Sequence, residues 1–374
     1  MVEALGDEFE FRIVCADRDI LDVRPYPSIM LDAWCRVGKA SVYYASPGCG
    51  SIHGWIRLMR QTPHDLVYLN SFFDSIYTLR PLLATRLMGL AAKPVLLAPR
   101  GEFSPGALGL KSWKKMPFLF MAKLSGLYRH ARWHASTVDE AQLIRQRMGV
   151  LSKVAIAVAM DMPIKLKSPT VSLPNDAEHP PSVLRIVFLS RIARMKNLDY
   201  ALRVLAKSRV KIQFDMWGTL EDAVYWEECQ DLIRAISGHV EVRYRGAVDH
   251  SEVHRILSTY DLLFFPTRGE NYGHVIAEAV SVGTPVLLSD QTPWRNLRRE
   301  GVGWDLPLEN GETAFLQAIE EALHKVRLER VAWRQRVFDF ATDRLNDPSL
   351  LEANRALFLQ AVADKVGEAL GAVK

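Results

Sequence analysis

Two carboxylates eight residues apart, Glu270 and Glu278, lie in the run DLLFFPTRGENYGHVIAEAV. An apolar strand ends there at Pro266, a polar loop follows, and a helix begins near Tyr272–Gly273. Glu278 falls inside that helix between Ala277 and Ala279, where an unpaired carboxylate is costly to bury. Such an acid needs a partner, and the hydroxyls of a ribose would serve. Glu270, in the loop, is placed to accept hydrogen bonds from the hydroxyls of a sugar. Between the two, Gly273 permits close approach of the backbone to a ligand, and the amides around Tyr272–His274 present donors to an anion. The alternative is structural, a helix cap for Glu270 and a salt bridge for Glu278.

A cationic pair stands elsewhere. The apolar run Leu184–Leu189 leads into Arg191, then Lys196-Asn197 and a helix. Arginine can grip two phosphate oxygens and lysine adds a point charge, so the turn can fold both toward one anion. Asn197 is expected to cap the following helix. The alternative is two solvated side chains on a surface loop. A third element, Gly283-Thr284-Pro285, enters a strand that delivers Thr292 and Trp294 to the same side. Trp294 either lines a ligand site or packs.

These groups need a scaffold that gathers loops following strands. Short apolar runs alternate with helical-period segments along the chain. Expected strands are Phe11–Ala16, Ala40–Ala45, Leu66–Asn70, Val95–Ala98, Trp133–Ser136 and Val154–Val158, then Leu184–Leu189, Ile212–Trp217, Val240–Arg245, Asp261–Pro266, Pro285–Leu288 and Gly303–Leu306. Helical stretches between them predict α/β architecture with parallel sheets covered on both faces. At 374 residues, two domains are expected: 1–166, a Pro- and Ser-rich linker at 167–183, and 184–335. A helical tail at 336–374 either caps the second domain or crosses back to the first. In doubly wound sheets, ligands bind outside the carboxyl ends of the strands.

Composition sets bounds. The chain is 49% apolar and 24% charged with a formal net charge of +4, an ordinary soluble balance. The charge is small and no zinc finger or basic stripe occurs, which argues against nucleic acid binding. The four cysteines are widely spaced and match no metal or redox pattern. Reduced thiols, an acidic start without a signal peptide and no apolar run long enough to span a bilayer predict a cytoplasmic protein.

Taken together, Arg191 with Lys196 five residues on, Glu270 and Glu278 around Tyr272-Gly273, and Gly283-Thr284-Pro285-Val286 resemble the retaining glycosyltransferases of family 4, the group 1 glycosyltransferases. The resemblance implies the GT-B fold, two Rossmann-like domains facing across a cleft, and transfer of a sugar from a UDP- or GDP-type nucleotide sugar. It implies roles too. Arg191 and Lys196 would neutralise the donor diphosphate and the charge developing on the leaving group, Glu270 would contact the donor sugar, and Glu278 would hold the ribose. Tyr272, Gly273, His274 and Thr292 would complete the donor site. The nucleobase would lie near Trp217–Thr219, with Gly218, and near Gly246–Val248. No cofactor or metal is implied, and no Asp-x-Asp loop stands out.

The chain departs from the family at its start, where MVEALGDEFEFRIVCADRD resembles the second strand region. The first domain is therefore expected to lack its usual opening strand. Pro99-Arg100-Gly101-Glu102 stands where family members often carry Pro-His-Gly. Arg100 is expected either to meet an anionic acceptor or the donor diphosphate, or to form an ion pair with Glu102 or Asp139. Asn70, Arg100 and Glu102 are expected on the side of the acceptor, which would be a glycan, a lipid-linked molecule or a small molecule. A nucleotide-sugar-binding protein without turnover is the alternative reading. The stretch 111–133 interleaves lysines and arginines with aromatic residues. It predicts either peripheral contact with an anionic membrane or a core helix with solvated lysines.

Overall fold

The computed structural model describes residues 1–19, 23–89, 93–149, 155–162, 182–236 and 238–371. Two compact units form, one of Met1–Met162 with Pro348–Lys374 and one of Pro163–Asp347. The expected linker at 167–183 lies outside the described residues except for its last two positions.

In the first unit, β1 (Phe11–Ala16), β2 (Trp34–Val37) and β3 (Ala40–Ala45) form a sheet in the order β1-β3-β2. Strand β1 runs parallel to β3, and β2 runs antiparallel to it. The β2–β3 pair is a hairpin with Val37 opposite Ala40 and Gly38 at φ 56°. A two-residue hairpin turn calls for positive φ, which glycine supplies at little cost. A separate parallel sheet contains β4 (Val67–Asn70), β5 (Val95–Ala98), β6 (Ala131–Ala135) and β7 (Ile156–Val158) in sequence order. The first unit thus holds two sheets where one was expected, and among the described residues no strand joins β1 to β4.

Helices α1 (Ile52–Gln61), α2 (Arg80–Leu87), α3 (Ser112–Leu124) and α4 (Val138–Met148) accompany these strands. Ser51 and Thr137 cap α1 and α4, accepting from the amides of Gly54 and Glu140. One core gathers around Phe72, whose ring lies 4.5 Å from Tyr128 and 4.9 Å from Phe103.

The second unit is one six-stranded parallel sheet. Its strands are β8 (Leu184–Leu189), β9 (Ile212–Trp217), β10 (Val240–Gly246), β11 (Leu262–Phe265), β12 (Val286–Ser289) and β13 (Gly303–Leu306), in the order β10-β9-β8-β11-β12-β13. Strands β8, β11 and β12 are buried along their whole length, so they are mostly apolar and show no alternation of buried and exposed positions. Helices α5 (Leu198–Ala206), α6 (Ala223–Ala235), α7 (His274–Ser281) and α8 (Gly311–Leu345) belong to this unit. Strand order reverses between β8 and β11, the topological switch point at which such sheets bind ligands.

Residue 335 falls inside α8, so the chain returns to the first unit at Pro348 and not at the expected 336. The last helix, α9 (Pro348–Gly371), places Phe358 between the two sheets of the first unit. Its ring lies 5.9 Å from Phe11 of β1 and 5.7 Å from Tyr68 of β4.

Candidate active site

The switch point of the second unit is closed by a lattice of short contacts. After β8 the chain makes a 3-10 turn, Arg194–Lys196, and passes through Asn197 in the left-handed region at φ 62°. After β11 it runs Pro266–Gly273. The Asn197 side chain donates to the Pro266 carbonyl at 2.8 Å and accepts from Arg268 Nε at 2.9 Å. Thr267 Oγ1 and the Arg268 amide both donate to the Met195 carbonyl, at 3.1 and 2.9 Å. Asn197 therefore does not cap α5 as expected. Its amide instead ties the two strand-end loops together, and asparagine tolerates the left-handed backbone this needs.

On this platform Lys196 forms an ion pair with Glu270. Both side chains are 14% exposed. The ammonium also stands 5.5 Å over the Phe265 ring. The Glu270 amide donates to the Gln291 carbonyl at 2.8 Å, which brings in the loop after β12. Arg191 is not gathered with Lys196. It is 58% exposed and pairs with Glu221 at 2.5 Å, so the expected convergence of both cations on one point is absent from this arrangement.

Gly273 opens α7 at φ 79°, a conformation that favours glycine. A Cβ here would come within 2.6 Å of the Ile276 side chain. The first turn of α7 and the exposed His274 follow directly. One turn on, Glu278 is largely buried at 11% side-chain exposure, with His250 Nδ1 3.6 Å from its Oε1. Burial raises its proton affinity above that of an ordinary glutamate, and the nearby histidine opposes this.

Neighbouring strand ends frame the site. Gly218 follows β9 at φ 142°, and a Cβ there would lie 1.9 Å from the Ser190 carbonyl oxygen. Only glycine lets the β9 loop lie this close to the end of β8. Trp217 Nε1 donates to Tyr260 Oη at 3.1 Å. Thr292 and Trp294 are both buried, and of the two readings of Trp294 the structure has the packed one. The Trp294 amide donates to Thr292 Oγ1 at 3.3 Å. The indole of Trp294 donates to the Tyr272 carbonyl at 2.7 Å, and its ring lies 6.2 Å from that of Tyr272. Trp294 is a prop beneath the Tyr272-Gly273 corner.

In the first unit, Arg100 adopts the left-handed region at φ 55° and is paired with Asp161, not with Glu102 or Asp139. It also donates to Tyr68 Oη at 2.7 Å and Asn70 Oδ1 at 3.0 Å. Glu102 accepts from Ser71 Oγ at 2.7 Å and from the Phe72 amide at 2.5 Å, which shapes the loop after β4. Asn70 stays exposed. Behind it, the buried His134 is hydrogen-bonded to Tyr68 Oη at 2.6 Å and to the Ala159 carbonyl at 2.7 Å. Burial lowers its proton affinity. Arg100 and Glu102 are thus engaged in the fold of their own unit.

Residues 173–336 match the family model described as Glycosyl transferases group 1. The match covers less than half of the chain and marks this segment as similar to the group 1 glycosyltransferases. Its fold, two Rossmann-like units, is of the GT-B type. An uncharacterized 41.2 kDa protein in the cps region of Klebsiella pneumoniae is 25% identical over 241 residues, which span 63% of each chain. The sucrose-phosphate synthase structure from Thermosynechococcus elongatus superposes with a TM-score of 0.72 at 14% identity, covering 97% of this chain and 92% of that one. HepE from Anabaena, solved with UDP and glucose, gives 0.64 at 15% identity and 86% coverage of both chains. WaaG, a glycosyltransferase involved in lipopolysaccharide biosynthesis, gives 0.59 at 12% identity, covering 82% of this chain and 94% of that one. At such identities these structures share the fold.

Sequence reasoning missed two groups that build the site. Arg268 reaches Asn197, and Glu221 holds Arg191. Arg268 was detectable as a charge two residues before Glu270. Glu221, thirty residues from Arg191, carried no local signal.

Proposed function

We propose that the protein transfers a sugar from a nucleotide-sugar donor to a glycan, lipid-linked or small-molecule acceptor with retention of the anomeric configuration. One observation carries the reading: Lys196 and Glu270 are held together at the topological switch point, beside the amino end of α7. A donor diphosphate laid there can draw the Lys196 ammonium from Glu270 and take the α7 amides, while Glu270 turns to the sugar's hydroxyls. Arg191, exposed on a flexible stem, can swing from Glu221 to the same phosphates. Glu278, a buried acid with an imidazole at 3.6 Å, suits a ribose diol.

In the reaction, the bond from the anomeric carbon to the diphosphate oxygen breaks and one to the acceptor oxygen forms on the same face. The acceptor's proton passes to the departing diphosphate. Negative charge grows on that diphosphate, and stabilising it is the chief task of Lys196 and the helix amides. These groups supply the positive field without a metal.

Several relatives support the details. HepE, the pneumococcal transferase GtfA and TarM were each solved with UDP, which favours UDP over GDP. The cps-region relative and the lipopolysaccharide outer core galactosyltransferase WaaB favour a glycan acceptor. Calorimetry against UDP- and GDP-sugars tests the proposal. Binding of a UDP-sugar is expected, and no binding of any nucleotide overturns it.

A further inference from the structure

Helix α3 turns its smaller apolar set inward and its larger set outward. Leu119 and Ala122 are buried in the core of the first unit, with Phe118 packed beside them. Trp113, Met116, Phe120, Met121 and Leu124 are instead 73%, 48%, 65%, 58% and 70% exposed. Their spacing is i, i+3, i+7, i+8 and i+11, which is a single stripe along one helix face. Single exposed apolar residues are ordinary, but a contiguous stripe of this kind marks a contact surface.

The charges beside the stripe identify the contact. Lys111 and Lys114 are exposed next to it and Lys123 is partly so. The Lys114 ammonium lies 4.7 Å over the Trp113 ring. Lys115 points elsewhere, donating to the Ala107 carbonyl at 2.6 Å. Not one Asp or Glu occurs between Glu102 and Asp139. A second copy of the chain would bring these lysines against their own kind. An anionic lipid surface satisfies both features at once, because acyl chains take the aromatic and aliphatic groups and phosphates take the lysines.

We propose that α3 docks the protein on an anionic bilayer, lying in the interface with Trp113, Phe120, Met121 and Leu124 inserted and Lys111, Lys114 and Lys123 toward the headgroups. The attachment is peripheral: among the described residues no helix is long and apolar enough to cross a membrane. This surface belongs to the first unit alone and does not depend on the donor site, so the inference stands apart from the proposed reaction.

The test is flotation of the full chain with phosphatidylcholine vesicles, with and without phosphatidylglycerol. The parent should float with the anionic vesicles at low salt and be released as salt screens the lysines. Each Lys→Ser change at 111 or 114 should weaken partitioning about fivefold. Trp113→Ser combined with Phe120→Ser should weaken it at least about tenfold. Leu328→Ser, at a residue 72% exposed in the second unit, should leave it unchanged. Thermal melts followed by circular dichroism establish that each variant is folded. A parent that stays with the soluble fraction at low salt overturns the proposal, as does a folded double variant that floats like the parent. Light scattering that shows a dimer lost in the double variant would assign the stripe to a second copy instead.

Discussion

The Lys196 ammonium rests on the Glu270 carboxylate, joining the ends of two adjacent strands, β8 and β11. In the proposed reaction this lysine exchanges one anion for another, so Lys196→Ala should act on donor binding more than on folding. Loss of a charge-assisted contact of about 1.5–3 kcal/mol corresponds to roughly 10- to 150-fold weaker binding of UDP, with turnover suppressed further. Calorimetry and a coupled UDP-release assay read the two effects. Unchanged affinity would remove Lys196 from the donor site. Because lysine and helix amides supply the field, a chelator should leave turnover unaltered.

Glu278 links stability to pH. Burial raises its pKa, so the folded chain keeps this proton to a higher pH than the unfolded chain. Between the ordinary glutamate value and the raised one, the folded state binds more protons and stability falls as pH rises. Glu278→Gln cannot ionise. It should melt like the parent at acid pH and above the parent at neutral pH, by on the order of 1 kcal/mol, while binding UDP more weakly. Parallel melts at acid and neutral pH check this. A variant less stable than the parent at neutral pH would show that the carboxylate is held by a structural partner.

Arg100 behaves as a structural cation. Arg100→Ala would remove the ion pair to Asp161, which is 13% exposed, and a donor to Tyr68 and Asn70. A loss of about 2 kcal/mol is expected, seen as a lower denaturant midpoint, with donor affinity unchanged. Weakened donor binding without loss of stability would instead place Arg100 at the diphosphate.

What the sequence made legible follows from the range of each signal. All six strands of the second unit were readable because each is a short run rich in apolar and β-branched or aromatic residues, bounded by turns. Glu270 and Glu278 were readable because their loop and helix are contiguous in the chain. The joining of Asn197 to Pro266 and Arg268 was not, since it spans about seventy residues and depends on two strands becoming neighbours. Residue type also misled: Asn197 precedes a helix, yet its left-handed backbone turns the side chain from the helix amides to the neighbouring loop. Trp294 follows a strand end, which left lining and packing both open, and its indole is buried against the Tyr272 carbonyl. The β2–β3 hairpin was signalled by Gly38-Lys39 between two β-prone runs, a local cue that the alternation of strands and helices obscured.

Phe358 offers a test of how the first unit holds together. Its ring contacts Phe9 at 5.4 Å, Phe11 at 5.9 Å and Tyr68 at 5.7 Å, and so meets residues from both sheets. Among the described residues no backbone pairing joins those sheets at β1 and β4, so side-chain packing must do so. Phe358→Ala should destabilise the first unit by about 3–5 kcal/mol, more than Leu359→Ala next to it, which removes a side chain 49% exposed. Hydrogen exchange resolves where the loss falls. Faster exchange is expected in β1, β3 and β4, with protection of β8, β11 and β12 unchanged. Equal loss in both units would mean that α9 stabilises the whole chain and not the seam between two sheets.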